Sequence, residues 1–466
     1  MKQELLGKKV VVLGFGRSGQ AATRLLLVSG AKVVVSDRRP REELPRALMS
    51  SFEAQGVLFD TGEHRPEVFE GADFVVVSPG VPPEVYAPAK ERGIPVIGEL
   101  ELAYRFLDEN KWTVAVTGTN GKTTTTAMIT DILRLAGKRV FVGGNYGTPL
   151  SEFILAGQKA DFVVLEVSSF QLETTETFAP QVGLLLNVTP DHLERYATFE
   201  DYVRAKMRLF LYQSPEDAAI LPVDLPAGLA DLLETRARRF TFGRGKEATA
   251  ELVEGAFFLR LPGGDEERYS FAGFKPLGIH NRLNFVAAAL AARLSGADPE
   301  AVRQAVRSFV GFSHRLEFIG CFGGVYFVND SKATNVDATA KALEGLSGPI
   351  VLILGGKHKG ASYRPLAPLI KEKVRLLILM GESRFLMAED LRDLVPTKMV
   401  ENLEEAVAVA ISEAMPGDTV LLSPAAASFD QFENYQERGD IFRELVLSYA
   451  PQFLGEDNRT EMVTYH

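Results

Sequence analysis

The stretch WTVAVTGTNGKTTTTAMITDILRL, residues 112–135, decides how the rest of the chain reads. Trp112 to Val116 is a short apolar run of strand type, Gly118 and Gly121 interrupt it, and Thr125 to Leu135 resumes with helical spacing. A triphosphate needs aligned backbone N–H donors, a cation for its outer phosphates and a hydroxyl for a magnesium ion. Gly118-Thr119-Asn120-Gly121-Lys122-Thr123-Thr124 offers each of these between a strand and a helix. The usual phosphate-loop spacing would put a glycine at Val116, so this loop is a shortened variant. ATP binding is the expectation; a plain glycine turn would leave Lys122 unexplained.

Downstream, Phe162 to Val167 reads as an apolar strand carrying one carboxylate, Glu166, followed by Ser168 and Gln171. An acid inside such a strand is costly to bury without a partner. Val182 to Val188 is a further buried strand, running into Thr189-Pro190-Asp191-His192. Glu166 and His192 read either as magnesium ligands or as side chains satisfied by neighbouring hydrogen bonds. Lys206, on a helix expected over Phe199 to Leu211, reads on composition alone as a solvated surface charge.

Upstream the same grammar recurs. Lys9 to Leu13 is a strand, Gly14-Phe15-Gly16-Arg17-Ser18-Gly19 a tight turn, Gln20 to Ser29 a helix, and Lys32 to Ser36 a second strand ending at Asp37. This is a βαβ unit of dinucleotide type. Its turn can receive a nucleotide diphosphate, with Asp37 accepting hydrogen bonds from a ribose or base, or its glycines can serve strand-to-helix packing alone. Phe74 to Val77 then runs into Ser78-Pro79-Gly80, another loop at the carboxyl end of a strand.

Toward the carboxyl terminus, strands are expected at Val325–Val328, Ile350–Leu354, Leu376–Met380 and Thr419–Leu422, each ending in a polar or glycine-rich loop. In a twisted parallel sheet such loops share one edge, so Lys332, Thr334, Lys359 and Ser428 either form a small anionic site or are ordinary solvated loop residues. The chain thus divides into three α/β segments with mainly parallel sheets, 1–104, 105–311 and 312–466: Rossmann-like, P-loop-like and Rossmann-like. Beyond about Gly455 it is polar, with a frayed end expected.

Composition narrows the partners. With 466 residues, 24% of them charged, and a formal net charge of −10, the chain is expected to bind no nucleic acid and to act on small anionic molecules. No apolar run approaches the eighteen or so residues of a membrane span, so no membrane insertion is expected. A single cysteine, Cys321, suits a reducing compartment, and a start without an apolar leader suits a cytoplasmic protein.

Taken together, TGTNGKTTT, His280-Asn281-Arg282-Leu283-Asn284, Ser313-His314-Arg315 and Asn329-Asp330-Ser331-Lys332-Ala333-Thr334-Asn335 resemble the Mur ligase family along nearly the whole chain. Leu165-Glu166-Val167-Ser168-Ser169-Phe170-Gln171-Leu172, Asp191-His192-Leu193-Glu194-Arg195-Tyr196 and the Leu422–Phe432 run are similar to the branch that adds D-glutamate to UDP-N-acetylmuramoyl-L-alanine. No DNPR run, the mark of the branch adding a diamino acid, is present.

The resemblance implies an ADP-forming ligase of cell-wall peptidoglycan precursor synthesis, linked to cell shape and division, acting as a monomer. It reassigns the first turn: Gly16, Arg17, Ser18, Asp37, Arg38, Ser78 and Gly80 would hold UDP, not a nicotinamide. Asn145, Ser168 and Gln171 would face the muramoyl substrate. ATP would lie on Gly118 to Thr124 with Asn281, Asn284, Arg315 and Asp330, and two magnesium ions near Thr123, Glu166 and His192. Lys122, Glu166, His192 and Lys206 would be catalytic, with Lys206 carbamylated so that it becomes an anionic ligand for the second ion. Lys332, Thr334, Lys359, Ser428, Phe429 and Tyr435 would form the D-glutamate pocket. Other readings are another Mur-type or folylpolyglutamate-synthase-like ligase, a dehydrogenase, and a non-catalytic nucleotide switch.

Overall fold

A computed structural model describes residues 5–191, 195–276 and 278–455. The chain forms two compact units, one of residues 1–271 with 284–306 and one of 272–283 with 307–466. The fold is α/β throughout, with three mainly parallel sheets.

The first sheet joins β1 (Lys9–Leu13), β2 (Lys32–Asp37), β3 (Leu58–Thr61), β4 (Phe74–Val77) and β5 (Val96–Gly98) in the order β3-β2-β1-β4-β5, every pairing parallel. Strand order reverses at β1, so the turn after Leu13 sits at the switch point where open α/β sheets bind ligands. The following helix spans Arg17–Val28, starting three residues earlier than its apolar spacing suggests.

The second sheet is built from β6 (Trp112–Thr117), β7 (Val140–Gly144), β8 (Phe162–Glu166), β9 (Val182–Leu185), β10 (Ala218–Pro222), β11 (Arg238–Gly243), β12 (Ala250–Val253), β13 (Ala256–Leu259) and β14 (Glu267–Ser270). Their order is β14-β13-β12-β11-β10-β9-β6-β8-β7, parallel except at β12-β13-β14. β6 pairs with β8 and β9, aligning Val116 with both Glu166 and Leu184. The loops after these three strands therefore meet at one edge. The helix after β6 begins at Lys122, not Thr125, so the loop is shorter than its glycine spacing suggests. β9 stops at Leu185, which frees Leu186–Thr189 to pack against the β6 loop.

The first two sheets share one apolar core, continuous from Val10, Leu25 and Val35 through Leu100 and Leu102 to Ala115 and Leu165. Polar groups reinforce it. Glu101 is fully buried and accepts from the N–H groups of Glu176, Thr177 and Phe178 at 3.0, 3.0 and 3.1 Å, from the Thr177 hydroxyl at 2.6 Å and from Arg105 at 2.7 Å. Glu99 accepts from the Ser151 N–H at 2.8 Å, and Arg24 pairs with Glu152 at 2.5 Å.

In the second unit, β15 (Glu317–Phe322), β16 (Val325–Asn329), β17 (Ile350–Gly355), β18 (Val374–Met380), β19 (Thr397–Met399) and β20 (Thr419–Leu422) lie in the order β15-β16-β20-β17-β18-β19. β15 alone among these is antiparallel to its neighbour. Apolar layers cover both faces of the sheet, one of them closed by the long Tyr435–Leu454 helix through Phe442, Val446 and Ala450.

Candidate active site

At the edge shared by β6, β8 and β9, the Gly118–Gly121 loop is held in place by its neighbours. The Thr119 N–H donates to Asn187 O at 3.0 Å, the Asn120 N–H to Asn187 Oδ1 at 2.9 Å, and Asn187 Nδ2 returns a bond to Asn120 O at 3.1 Å. Thr119 Oγ1 lies 3.1 Å from both Thr189 O and the Tyr202 hydroxyl. Gly121 has φ +83°, and a Cβ there would come within 2.8 Å of Asn284 Oδ1. The positive φ favours glycine, and the close approach sets Asn284 against the loop.

Lys122 folds back over the loop, donating to Gly118 O and Thr119 O at 2.9 Å each. Thr123 Oγ1 donates to Glu166 Oε2 at 2.7 Å and Asn145 Nδ2 to Glu166 Oε1 at 2.9 Å, so Glu166 is a buried carboxylate held by two polar side chains. Ser168 caps the short Ser169–Leu172 helix in a reciprocal box with Gln171. Thr124 is buried on the helix side of the loop.

Lys206 overturns its compositional reading. Its side chain is 1% exposed, donates to Gly118 O at 2.9 Å and lies 4.5 Å from the centre of the Tyr202 ring. The Phe199–Met207 helix, capped by a Thr198–Asp201 box, buries the face carrying Tyr202, Val203 and Lys206, and so points this amine at the loop after β6. Burial pushes its pKa well below the ordinary lysine range; Lys122 adds to the shift and Asp191 opposes it. His192 lies outside the described residues.

Among the described residues no three His, Cys, Asp or Glu side chains cluster to hold a metal. The donors beside Lys122 are the oxygens of Thr123 and Glu166. That set suits a hard cation that keeps water and phosphate oxygens in much of its shell, as Mg2+ does.

In the first sheet the glycine turn is tightly packed. A Cβ on Gly19 would come within 1.9 Å of Gly14 O, and Ser78 Oγ donates to that same oxygen at 3.2 Å. Gly16, Arg17, Arg38 and Gly80 are exposed around the turn, and Ser18 is half-buried at the start of its helix. Asp37 differs from the simple expectation of an acceptor waiting for a ribose. Its oxygens take the Phe15 N–H at 2.6 Å, the Arg39 N–H at 2.9 Å, and Arg39 Nε and Nη2 at 2.9 Å each. Burial raises the carboxyl's pKa, but the Arg39 and backbone bonds outweigh it and bring the pKa down to about 2.

In the second unit, Lys332 Nζ donates to the Tyr435 hydroxyl at 2.8 Å, and Lys359 Nζ to Thr334 Oγ1 at 3.4 Å. Ser428 is buried and Phe429 is 66% exposed. Asn281 is buried near the start of its helix, and the Arg315 guanidinium lies 6.0 Å from the Phe312 ring. Asp330 is buried, accepting from Ser423 Oγ at 2.9 Å and the Leu316 N–H at 3.2 Å; burial pushes its pKa up to about 7.

No motif singled out Arg438. It is fully buried and donates to Ser331 Oγ at 3.0 Å, Ser331 O at 2.8 Å and Ala426 O at 3.3 Å, tying together the loops that carry Lys332 and Ser428. Its position one turn beyond Tyr435 on the same helix was the available signal.

Three family models match in chain order: the Mur ligase MurD-like N-terminal domain at residues 8–98, the Mur ligase middle domain at 116–292 and the Mur ligase glutamate ligase domain at 314–426. The UDP-N-acetylmuramoylalanine–D-glutamate ligase of Acidobacterium capsulatum is 45% identical, over 96% of this chain and 97% of its own. That of Geotalea daltonii is 43% identical, over 96% and 99%. Among solved structures, the MurF ligase of Thermotoga maritima in complex with ADP matches with a TM-score of 0.58 at 17% identity, covering 97% of this chain and 96% of its own, which speaks for the fold. No helix among the described residues is long and apolar enough to cross a membrane. Identity at this level along almost the entire length, with all three family models in register, shows that the chain belongs to the Mur ligase family.

Proposed function

We propose that this protein joins D-glutamate to UDP-N-acetylmuramoyl-L-alanine at the expense of ATP, in peptidoglycan precursor synthesis. The observation that carries the reading is the loop of β6, where Lys122, Thr123, Glu166 and Lys206 meet at one sheet edge. ATP takes Gly118–Thr124, with Asn284 against the loop; Asn281, Arg315 and Asp330 are assigned as further nucleotide-binding residues. UDP takes the Gly16–Ser18 turn with Arg38, Ser78 and Gly80, while Asp37 shapes the turn through Phe15. Asn145, Ser168 and Gln171 face the muramoyl group. Lys332, Thr334, Lys359, Ser428, Phe429 and Tyr435 receive D-glutamate, and Arg438 holds their loops.

The reaction activates a carboxylate. The alanine carboxylate attacks the γ-phosphorus, ADP leaves, and the resulting acyl phosphate is attacked by the D-glutamate amine to give the amide and phosphate. Lys122 offsets charge on the transferring phosphoryl oxygens and the loop N–H groups hold the chain of phosphates in line. Thr123 and Glu166, with His192, would hold Mg2+, which supplies charge neutralisation at the phosphates.

Lys206 is assigned a carbamate. A fully buried ammonium beside Lys122 is unfavourable, whereas a neutral amine reacts with CO2 to give an anion that Lys122 and a divalent cation both attract. Protein exchanged into 13C-bicarbonate should show one carbamate carbon resonance that Lys206→Ala lacks; identical spectra would remove the assignment.

The main test is phosphate release with ATP, Mg2+ and the muramoyl nucleotide, offering D-glutamate, L-glutamate, L-lysine or diaminopimelate separately. Release with D-glutamate alone is expected. Release with another amino acid, or without either substrate, overturns the reading.

A further inference from the structure

Between the first sheet and the loop of β8, one cationic side chain links two segments that no motif connects. The Arg195 guanidinium grips Glu173 with both arms, Nε to Oε1 at 3.1 Å and Nη2 to Oε2 at 2.6 Å. Its Nη1 donates to Val81 O at 3.2 Å, and its centre lies 4.4 Å from the middle of the Phe170 ring. Both charged side chains are largely buried, Arg195 at 10% and Glu173 at 15% exposure. The Tyr196 hydroxyl also donates to Glu173.

The two ends of this clamp matter. Val81 closes the loop after β4 by donating its N–H to Ser78 O at 3.0 Å, and Ser78 bonds the glycine turn through Gly14 O. Glu173 ends the short helix whose other end is the Ser168–Gln171 box. Arg195 therefore joins the proposed UDP loop to the proposed muramoyl helix through a planar fork, which fixes both distance and angle as a flexible ammonium would not.

We propose that Arg195 is a positioning residue for the acceptor substrate: it couples the nucleotide loop to the Ser169–Leu172 helix, so that grip on the UDP end orients the muramoyl carboxylate at the loop after β6. Binding energy from a remote, unreactive part of a substrate is spent on orienting its reacting end, and a small misplacement between the two ends loses that gain. This inference rests on the proposed function and on the assignment of UDP to the first sheet.

The test compares two acceptors, UDP-N-acetylmuramoyl-L-alanine and the same molecule shortened to its muramoyl 1-phosphate, in full-length wild type and R195A. Wild type should favour the full acceptor by roughly 10²-fold or more in kcat/KM. In R195A that preference should shrink by about tenfold through loss of kcat on the full acceptor, with kcat/KM on the short acceptor and the KM values for ATP and D-glutamate within about twofold of wild type. R195K, which keeps the charge and loses the fork, should fall between, and it decides the matter should R195A not fold. Equal losses on both acceptors, or an unchanged preference, overturn the coupling. A wild type indifferent to the missing uridine phosphate instead overturns the UDP assignment beneath it.

Discussion

Lys122 and Asp330 show how differently single polar side chains act in this protein. Lys122 is anchored on its own loop through Gly118 O and Thr119 O, which keeps its charge at the loop proposed to hold phosphate. Lys122→Ala should lower kcat by roughly 10²-fold or more, measured by phosphate release, with little change in melting temperature. Asp330 is a case of burial. Desolvation is the largest influence, opposed by the Ser423 hydroxyl, the Leu316 N–H and Arg315, and the balance lifts the carboxyl from 3.8 to about 7. A folded state that holds a proton the unfolded chain has released loses stability as pH rises through that window. Wild type should therefore lose stability relative to Asp330→Asn between about pH 4 and pH 7, by at most about 4 kcal/mol, and the difference should level off above that range. Urea denaturation at stepped pH checks it, and parallel curves for the two proteins would contradict the burial argument.

At the level of elements, the turn after β1 is the most constrained. Because a Cβ on Gly19 would sit 1.9 Å from a backbone oxygen, Gly19→Ala must displace either the helix or the turn. The variant should raise KM for the muramoyl nucleotide by about tenfold while leaving KM for ATP within about twofold. The Phe199–Met207 helix depends on its cap: Thr198→Ala removes the reciprocal box with Asp201 and should cost about 1 kcal/mol in denaturant titration. These elements also mark what the sequence made legible. Strand–loop–helix order and the loops at strand ends follow from glycine placement and β-branched runs, and they pointed to Lys122, Glu166 and Lys332. Lys206 was misread on composition because charge says nothing about which face of a helix it occupies. Its spacing of four from Tyr202 held the answer, and the structure buries both. Arg438 and the engagement of Asp37 by Arg39 were hidden for another reason: their partners are mostly backbone atoms or a flanking arginine, which leave no mark in a motif.

Across the whole molecule, the resemblance implies a first segment with a binding task of its own, yet its core is continuous with that of the second sheet. Glu101 is the sharpest test of that continuity. It lies just beyond β5 and accepts three backbone N–H groups from Glu176–Phe178, besides the Thr177 hydroxyl and Arg105, with no exposure to water. Its carboxyl stays below the ordinary range: burial raises the pKa, and the bonds from Thr177, Arg105 and the backbone more than offset this. Glu101→Ala strands those donors and leaves Arg105 without its buried partner, a loss of roughly 3–5 kcal/mol. At about 2–4 °C per kcal/mol for a body of this size, the unit of residues 1–271 and 284–306 should melt roughly 6–20 °C lower as one transition. Were the first sheet an independent module, the same substitution would instead split that transition, releasing the first segment at low temperature while the ATP-protected part melted as before. Calorimetry with and without ATP separates the two outcomes, because a ligand bound only by the folded state raises the melting point of whatever unfolds together with its site. A shared core predicts that ATP protects the first sheet as well.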